Sequence, residues 1–245
     1  FAFTVILSEG YTATEDFAVE ANGVPLTGAD GVYVIQNIHA PKNITVKGVA
    51  DITVPEAEIT VRENQWKNFL NDISFGIFYK ESQDVTITAT DGGSGVDRTE
   101  YYLSDTALTL EEIKALPAEE WTLYESTFSI SPDRKCVIYA RSTDQAGNTV
   151  YVSSDGMILD ATAPVVTGIE NNGTYYGDQT FQVVEEYLKE IRIDGETADA
   201  SSGSIEIPAD NGAHTIVVTD QAGNSINYQI TVYKIYTVQF VADDT

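Results

Sequence analysis

The 245-residue chain carries 13 basic and 38 acidic residues, which gives a formal net charge of −25. Nucleic acids and anionic membrane surfaces both bind clustered Lys and Arg, so this charge balance argues against either partner. Acidity at this level is typical of a self-repelling protein that works in a salty medium. One cysteine excludes an intramolecular disulfide, and no apolar run reaches the length of a membrane span.

The first segment, residues 1–56, is predicted to form a small β module. Runs rich in β-branched and aromatic residues alternate with Asn-Gly and Asp-Gly pairs, which is typical of strands joined by tight turns. The predicted strands cover 1–7, 17–23, 31–35 and 44–51. Because a later segment has the same order of strands and turns, we interpret this module as a diverged copy that lacks part of its start.

The middle segment, 57–160, is predicted to be a longer β-sandwich. Pro55 and the mixed-charge run 56–64 mark its boundary. A helical turn over 66–70 is predicted to lead into a strand. Thr109 to Glu112 has the capping-box pattern and Pro117 follows shortly after, which predicts a short helix over 110–116. The other predicted strands cover 73–78, 85–90, 100–104, 121–124, 128–130, 137–143 and 149–153.

One hexapeptide, Thr143-Asp144-Gln145-Ala146-Gly147-Asn148, occurs twice. Residues 219–224 repeat it without a change, 76 positions later. Each copy lies between two alternating runs, which predicts a hairpin turn with a positive φ at Gly147 and at Gly223. Identical hexapeptides at this spacing indicate repeated modules.

The last complete module is predicted to cover 161–233. Pro164 lacks a backbone N–H and suits the first position of an edge strand, so it marks the boundary. The alternating run 236–241 predicts a further strand, and we interpret 234–245 as the start of another β-repeat. Short strands with frequent turn signals are typical of β-sandwiches.

Three motifs resemble those of bacterial immunoglobulin-like repeats. They are the TD.AGN turn at Thr143–Asn148, the glycine turn Asp91–Val96 and the D.TAP junction Asp160–Pro164. Such repeats occur in exported cell-surface proteins of Gram-positive bacteria, and the resemblance covers about 64–233. The final YTVQFVADD run is similar to the start of the small β-repeats of internalin-type surface proteins. The resemblance implies immunoglobulin-like sandwiches, export and attachment to the cell envelope, without catalytic residues. Together with the helix predicted over 110–116, it gives an all-β chain of tandem immunoglobulin-like sandwiches, the middle one with a short helical insertion.

The residues of common active sites are scarce in this sequence. His39 and His214 are the two histidines, and neither has the spacing of a Ser-His-Asp arrangement. Two histidines and Cys136 do not form a usual zinc ligand set, and we expect this cysteine to be a buried, inert thiol. The run Asp91–Gly95 lacks the lysine and helix of a phosphate loop. We therefore predict no enzymatic activity, no catalytic residue and no resident cofactor.

The sequence leaves open whether the chain binds calcium. Carboxylate oxygens suit Ca²⁺, and an ion at an Asp-rich junction would stiffen a chain of modules. The candidate ligands are Asp91, Asp97, Asp144, Asp155 and Asp160. The alternative, in which Asp144 and Asp220 accept hydrogen bonds from their own turns, is the one we favour.

Exposed aromatic rings are candidate stacking platforms for sugars. The main candidates are Trp66, Trp121, Tyr175 and Tyr176, and the pair Tyr101 and Tyr102 is also available. Adjacent residues of a strand point to opposite faces, so one tyrosine of each pair is expected outside. The alternative for the tryptophans is ordinary packing in a core.

These observations predict a non-catalytic spacer or stalk, or part of an adhesin, in a bacterial surface protein. We expect it to be monomeric, extracellular and attached to the cell surface or cell wall. Its partner would be a host or environmental glycan or protein, without direct membrane insertion. The alternative function is an accessory carbohydrate-binding segment of an extracellular polysaccharide-degrading enzyme.

Overall fold

The computed structural model describes residues 1–199, 201 and 203–240, and it confirms an all-β chain with one short α-helix. The chain forms two compact units. The first unit contains 1–73, 84–128 and 137–155, and the second contains 74–83, 129–136 and the described residues from 156 onward. No helix in these described ranges is long and apolar enough to cross a bilayer.

The N-terminal segment of the first unit contains six strands in two small sheets. The sheet orders are β1-β5-β4 and β3-β2-β6. Its buried apolar side chains are Val19, Ala21 and Ile35, so its described part has a small core. The four predicted strands correspond to β1, β2, β5 and β6. The bounds are β1 Ala2–Thr4, β2 Tyr11–Ala21, β3 Val24–Pro25, β4 Gly28–Ala29, β5 Val32–Val34 and β6 Ile44–Asp51.

The middle segment contains ten strands and the helix. In the first unit β7 pairs with β8 and β10, and β11 pairs with β12 and β14, which also pairs with β15. These pairs are all antiparallel. The bounds are β7 Glu56–Val61, β8 Asn64–Trp66, β9 Ile77–Tyr79, β10 Gln83–Thr90, β11 Val96–Ser104, α1 Leu110–Ala115, β12 Thr122–Leu123, β13 Phe128–Ile130, β14 Arg134–Asp144, β15 Thr149–Ser153 and β16 Met157–Leu159.

At the start of this segment one strand was not predicted, and one predicted helical turn is wrong. The run 56–64 contains strand β7, in which Ala57, Ile59 and Val61 are buried while the charged residues alternate outward. The predicted helical turn over 66–70 is absent, because Trp66 ends strand β8 and pairs with Ile59 across a tight hairpin.

The predicted helix is confirmed. Helix α1 begins after Thr109, whose Oγ1 accepts a hydrogen bond from Glu112 N at 3.3 Å. In return Thr109 N donates to Glu112 Oε2 at 2.8 Å, which completes the capping box. Ile113 anchors the helix because it is buried.

The C-terminal segment, in the second unit, is a β-sandwich with sheet orders β17-β19-β22 and β18-β24-β23-β20-β21. Two facing sheets around one apolar core are the arrangement of immunoglobulin-like modules. Its bounds are β17 Val165–Thr167, β18 Gly173–Tyr176, β19 Gln179–Val184, β20 Leu188–Ile193, β21 Glu196–Thr197, β22 Ile205–Ile207, β23 Gly212–Asp220 and β24 Ser225–Tyr233. The core contains Val166, Ile169, Phe181, Ile191, Ile205, Ile207, Ile216, Val218, Ile230 and Val232.

Two strand pairs of the second unit are parallel. Strand β9 pairs with β16, with Ile77 opposite Met157, and β18 pairs with β24, with Gly173 opposite Ile230. In each case a strand from the first part of a predicted module lies beside the last strand of the same module.

The predicted strand over 236–241 is not formed in the described part of the tail. Residues 234–240 belong to no strand, and 241–245 lie outside the described residues. A strand requires a neighbour that accepts its backbone hydrogen bonds, and the alternating pattern alone does not supply one. The interpretation of 234–245 as the start of a further β-repeat stays a prediction.

Candidate functional site

Both copies of the hexapeptide form hairpin turns, as predicted. The first joins β14 to β15 and the second joins β23 to β24. Gly147 has φ 93° and Gly223 has φ 89°, which is the left-handed region that glycine adopts without steric cost.

The aspartate of each turn holds the asparagine that ends it. Asp144 Oδ1 accepts from Asn148 N at 2.8 Å, and its Oδ2 accepts from Asn148 Nδ2 at 2.7 Å. Asp220 repeats both bonds with Asn224, each at 2.8 Å. The prediction that these aspartates accept hydrogen bonds from their own turns is therefore confirmed. Burial raises the pKa of Asp144, but the hydrogen bonds from Asn148 and the turn amides outweigh it and lower the pKa.

Each asparagine makes a further bond that the sequence analysis missed. Asn148 Nδ2 donates to the main-chain oxygen of Asp51 at 3.1 Å, and Asn224 Nδ2 donates to that of Asp160 at 2.8 Å. Both acceptors lie where one predicted module ends and the next begins. The repeated turn therefore binds the linker that enters its own module.

The two linkers share a pattern, Asp-x-Thr-x-Pro, at 51–55 and 160–164. Asp51 Oδ1 accepts from Thr53 N at 2.9 Å and from Thr53 Oγ1 at 2.6 Å, and Asp160 Oδ1 accepts from Thr162 N at 3.0 Å. The bonds from Thr53 lower the pKa of Asp51 to about 2. The stabilisation from this carboxylate is present above its unfolded pKa and is lost as the pH falls toward 2.

Three carboxylates meet beside each linker. Asp51, Asp91 and Asp144 each place one oxygen within 4.8 Å of the others. Asp160, Glu185 and Asp220 form a second cluster with the same spacing. Of the calcium candidates, Asp91, Asp144 and Asp160 belong to these clusters. Asp97 and Asp155 belong to neither, and Asp51, Glu185 and Asp220 were not anticipated as ligands.

Hydrogen bonds already reach the carboxylates of the first cluster. Asp51 Oδ2 accepts from Ser94 N at 2.7 Å, and Asp91 Oδ2 accepts from Gly93 N at 3.1 Å and from Gly95 N at 2.6 Å. These amide donors supply partners for the carboxylate oxygens without an ion. The oxygen ligands would also suit a hard cation. Calcium binding stays a hypothesis.

Trp121, a candidate stacking platform, offers no exposed ring face. Its side chain is 7% exposed, and the guanidinium of Arg141 lies 4.4 Å from the ring centroid. Arg141 is fixed there by Glu100, with Nε 2.8 Å from Oε2 and Nη2 3.0 Å from Oε1. The ring is thus packed into the first unit together with a bidentate ion pair.

The other aromatic candidates differ in exposure. Trp66 is half-buried in β8, and Tyr101 stacks on Phe128 with ring centroids 4.1 Å apart. Tyr175 is half-buried, and its hydroxyl oxygen accepts from the Glu170 amide at 2.7 Å. Tyr102 lies against Trp121.

Tyr176 is the main candidate that remains well exposed. Its side chain is 68% exposed and stacks on Tyr233, with ring centroids 5.7 Å apart. Tyr233 is also exposed, and so is Tyr236, three residues further along the chain. This group of tyrosines is the surface of the described chain that best suits stacking against a sugar.

The histidines and the cysteine occupy different surroundings. His39 is exposed, whereas His214 is buried in β23 between Asp194 and Asp210. Cys136 is fully buried, and burial raises the pKa of its thiol to about 11. A thiol that stays protonated at neutral pH is a poor nucleophile, as expected from the sequence.

Comparison with known proteins gives similarity in architecture only. No family model and no curated protein matches the sequence. Fibronectin(III)-like modules of Clostridium thermocellum CbhA are 14% identical, with a TM-score of 0.29, over 75% of this chain and 100% of theirs. A 1.5-MDa bacterial ice-binding adhesin is 14% identical, with a TM-score of 0.26, over 90% of this chain and 86% of that one.

A third similar structure is the sialic acid binding region of a Streptococcus sanguinis SK1 adhesin bound to 3'sLn. It is 9% identical, with a TM-score of 0.22, over 75% of this chain and 78% of that one. TM-scores this low carry no argument about its function.

Proposed function

We propose that this chain is a non-catalytic, tension-bearing spacer of a bacterial cell-surface protein. Its modules would cover 1–56, 57–160 and 161–233, and it would work outside the cell, attached to the surface or wall. The resemblance of its turns and junctions to bacterial surface repeats supports this setting, as does the strongly acidic composition.

The observation that carries the proposal is the parallel pairing of an early strand with the last strand. In the C-terminal sandwich, tension applied at the two ends pulls β18 and β24 in opposite directions along their axes. The hydrogen bonds of such a pair are loaded together, whereas those of a hairpin pulled open from its ends break one after another. The pair β9 and β16 has the same geometry. Two such pairs suit a chain that must resist stretching.

The linkers support the same function. Tension enters each sandwich through an Asp-x-Thr-x-Pro segment, and the turn asparagines Asn148 and Asn224 bind the main chain of these segments. A linker that is bonded to the following module has fewer conformations than a free one. It therefore lengthens less when the chain is put under tension.

Single-molecule force spectroscopy on the whole chain tests the proposal. Asn172 N donates to Gln229 O at 2.6 Å, and Thr174, two residues further on, faces the same strand. Thr174→Pro should therefore remove a donor from the parallel ladder. We expect a lower unfolding force for the event that releases the C-terminal sandwich. This event is recognised because it lengthens the stretched chain by a contour length on the order of 25 nm.

The matched control is Thr197→Pro, which places the same change in β21 at the opposite edge of the same sheet. We expect it to reduce thermal stability while leaving the unfolding force of this event close to that of the parent. Equal unfolding forces for the parent and Thr174→Pro would refute the role of the parallel pair.

Glycan binding is the second candidate function, favoured by the exposed ring of Tyr176. A screen of host and plant polysaccharides against the whole chain separates the two functions. For a spacer we expect no dissociation constant below about 1 mM, which corresponds to a binding free energy of about −4 kcal/mol. Micromolar binding that is lost in Tyr176→Ala but kept in Tyr11→Ala would instead establish an adhesin or an accessory carbohydrate-binding segment.

A further inference from the structure

His214 lies between two carboxylates at one end of the C-terminal sandwich. It is 8% exposed, with Nδ1 2.8 Å from Asp194 Oδ2 and Nε2 3.2 Å from Asp210 Oδ1. Asp194 belongs to the turn between β20 and β21, and Asp210 belongs to the loop between β22 and β23. The ring therefore connects two separate loops.

Both contacts are hydrogen bonds only when the imidazole is doubly protonated. An ionised carboxylate accepts and cannot donate, and a neutral imidazole carries one N–H. The neutral ring would leave one nitrogen lone pair facing a carboxylate oxygen. Burial lowers the pKa of His214, but the hydrogen bonds and charges of Asp194 and Asp210 outweigh it and raise the pKa above its usual 6.5.

The charged groups that act on the His214 ring are Asp194 and Asp210. Strand β24 places Ile230 opposite His214. On β20, Arg192 and Glu190 pair with each other, with Arg192 Nε 2.9 Å from Glu190 Oε2. The other titratable side chains on adjoining strands are Lys189 on β20, Glu206 on β22, Tyr228 and Tyr233 on β24, and Tyr175 and Tyr176 on β18.

The loop that bears Asp210 also holds the chain where it leaves the sandwich. Asn211 N donates to Val232 O at 3.0 Å, and Asn211 Oδ1 accepts from Lys234 N at 2.8 Å. Its Nδ2 donates to the hydroxyl oxygen of Tyr236 at 3.3 Å. The residue next to the histidine's partner is thus bonded to the last strand at one point and to the outgoing segment at two.

We propose that His214 is a pH-dependent switch that controls how firmly the outgoing segment 234–236 is held. With the ring doubly protonated, Asp194 and Asp210 are bonded to it and the Asn211 loop is closed over the segment. Loss of one proton breaks one of these bonds, and the loop with Asn211 releases Lys234.

The direction of the pH effect follows from linkage. The folded-state pKa of His214 lies above the unfolded value, so its stabilisation is fully present below about pH 6.5. The stabilisation is lost as the pH rises through the folded-state value. The segment is therefore held below about pH 6.5 and released above the folded-state pKa of His214.

Amide hydrogen exchange measured by NMR on the whole chain tests this proposal. We expect the protection factor of the Lys234 amide to fall by at least about threefold as His214 deprotonates, since each pKa unit above the unfolded value is worth about tenfold. Expressing exchange as protection factors removes its intrinsic pH dependence. The ring resonances of both histidines, followed in the same samples, give the pKa of each.

Two variants complete the test. Asp210→Asn keeps an acceptor for the Gly212 amide but removes a charge from His214, so the pKa of His214 and the midpoint for Lys234 should both move to lower pH. His39→Gln removes the exposed histidine and should change neither. A His214 pKa at or below 6.5, or Lys234 protection that stays constant across the His214 titration, would overturn the switch.

Discussion

Asn224 uses a single side-chain amide nitrogen for two contacts. It donates to Asp220 within its turn and to the main-chain oxygen of Asp160, which lies 64 positions earlier in the chain. The side chain is buried, so an unpaired amide there would cost about 1–3 kcal/mol. The second bond therefore ties the position of the linker to the integrity of the turn. Asn148 does the same for Asp51 across 97 positions.

The glycines of the two turns are required for their backbone conformation. A Cβ added at Gly147 would meet no atom within 4 Å, so a substitution there is opposed by the φ of 93° rather than by crowding. We expect Gly147→Val to lower the free energy of unfolding by about 1–3 kcal/mol. Gly92→Val is the matched control, because its added atoms also meet open space and its φ is not positive.

Chemical denaturation of the two variants and the parent measures the difference. Gly92→Val should lie within about 0.5 kcal/mol of the parent. If both variants lose the same stability, the cost comes from valine in a loop and the turn conformation has no special role.

The elements that could be predicted from the sequence are those fixed by neighbouring residues. The helix after Thr109 depends on a capping box within one turn, and the hairpins at 143–148 and 219–224 depend on a glycine with positive φ. Both kinds of signal are complete within six residues. Strand β7 was missed because its outward charges dominate the composition of 56–64, although the apolar positions alternate.

The pairing of distant strands is the part that the sequence could not show. An alternating run predicts which face of a strand is buried, but not which strand accepts its hydrogen bonds. The pair β9 and β16 joins Ile77 to Met157, and β18 and β24 join Gly173 to Ile230. For the same reason the sequence did not show that Asp51 joins the expected Asp91 and Asp144, or that Glu185 and Asp220 join the expected Asp160.

At the scale of the whole molecule, the two compact units do not coincide with the three modules proposed from the sequence. The residues of the proposed middle module, 57–160, are divided between the units. The C-terminal sandwich is contained in one unit, and every residue of its core cluster lies within 161–233. A closed core of this kind is the condition for independent folding.

The fragment 161–240 should therefore fold alone, and this decides whether the second boundary is a true module boundary. For about 70 ordered residues the unfolding enthalpy should be about 50 kcal/mol near 60 °C, in one cooperative transition. Calorimetry of the fragment and of the whole chain makes the comparison. The fragment 170–240 is the control, since it lacks β17 and two core residues, Val166 and Ile169, and should be clearly less stable. An unfolded 161–240 fragment would mean that the sandwich depends on Asp160 or on residues before it, and the division at 160 would have to be abandoned.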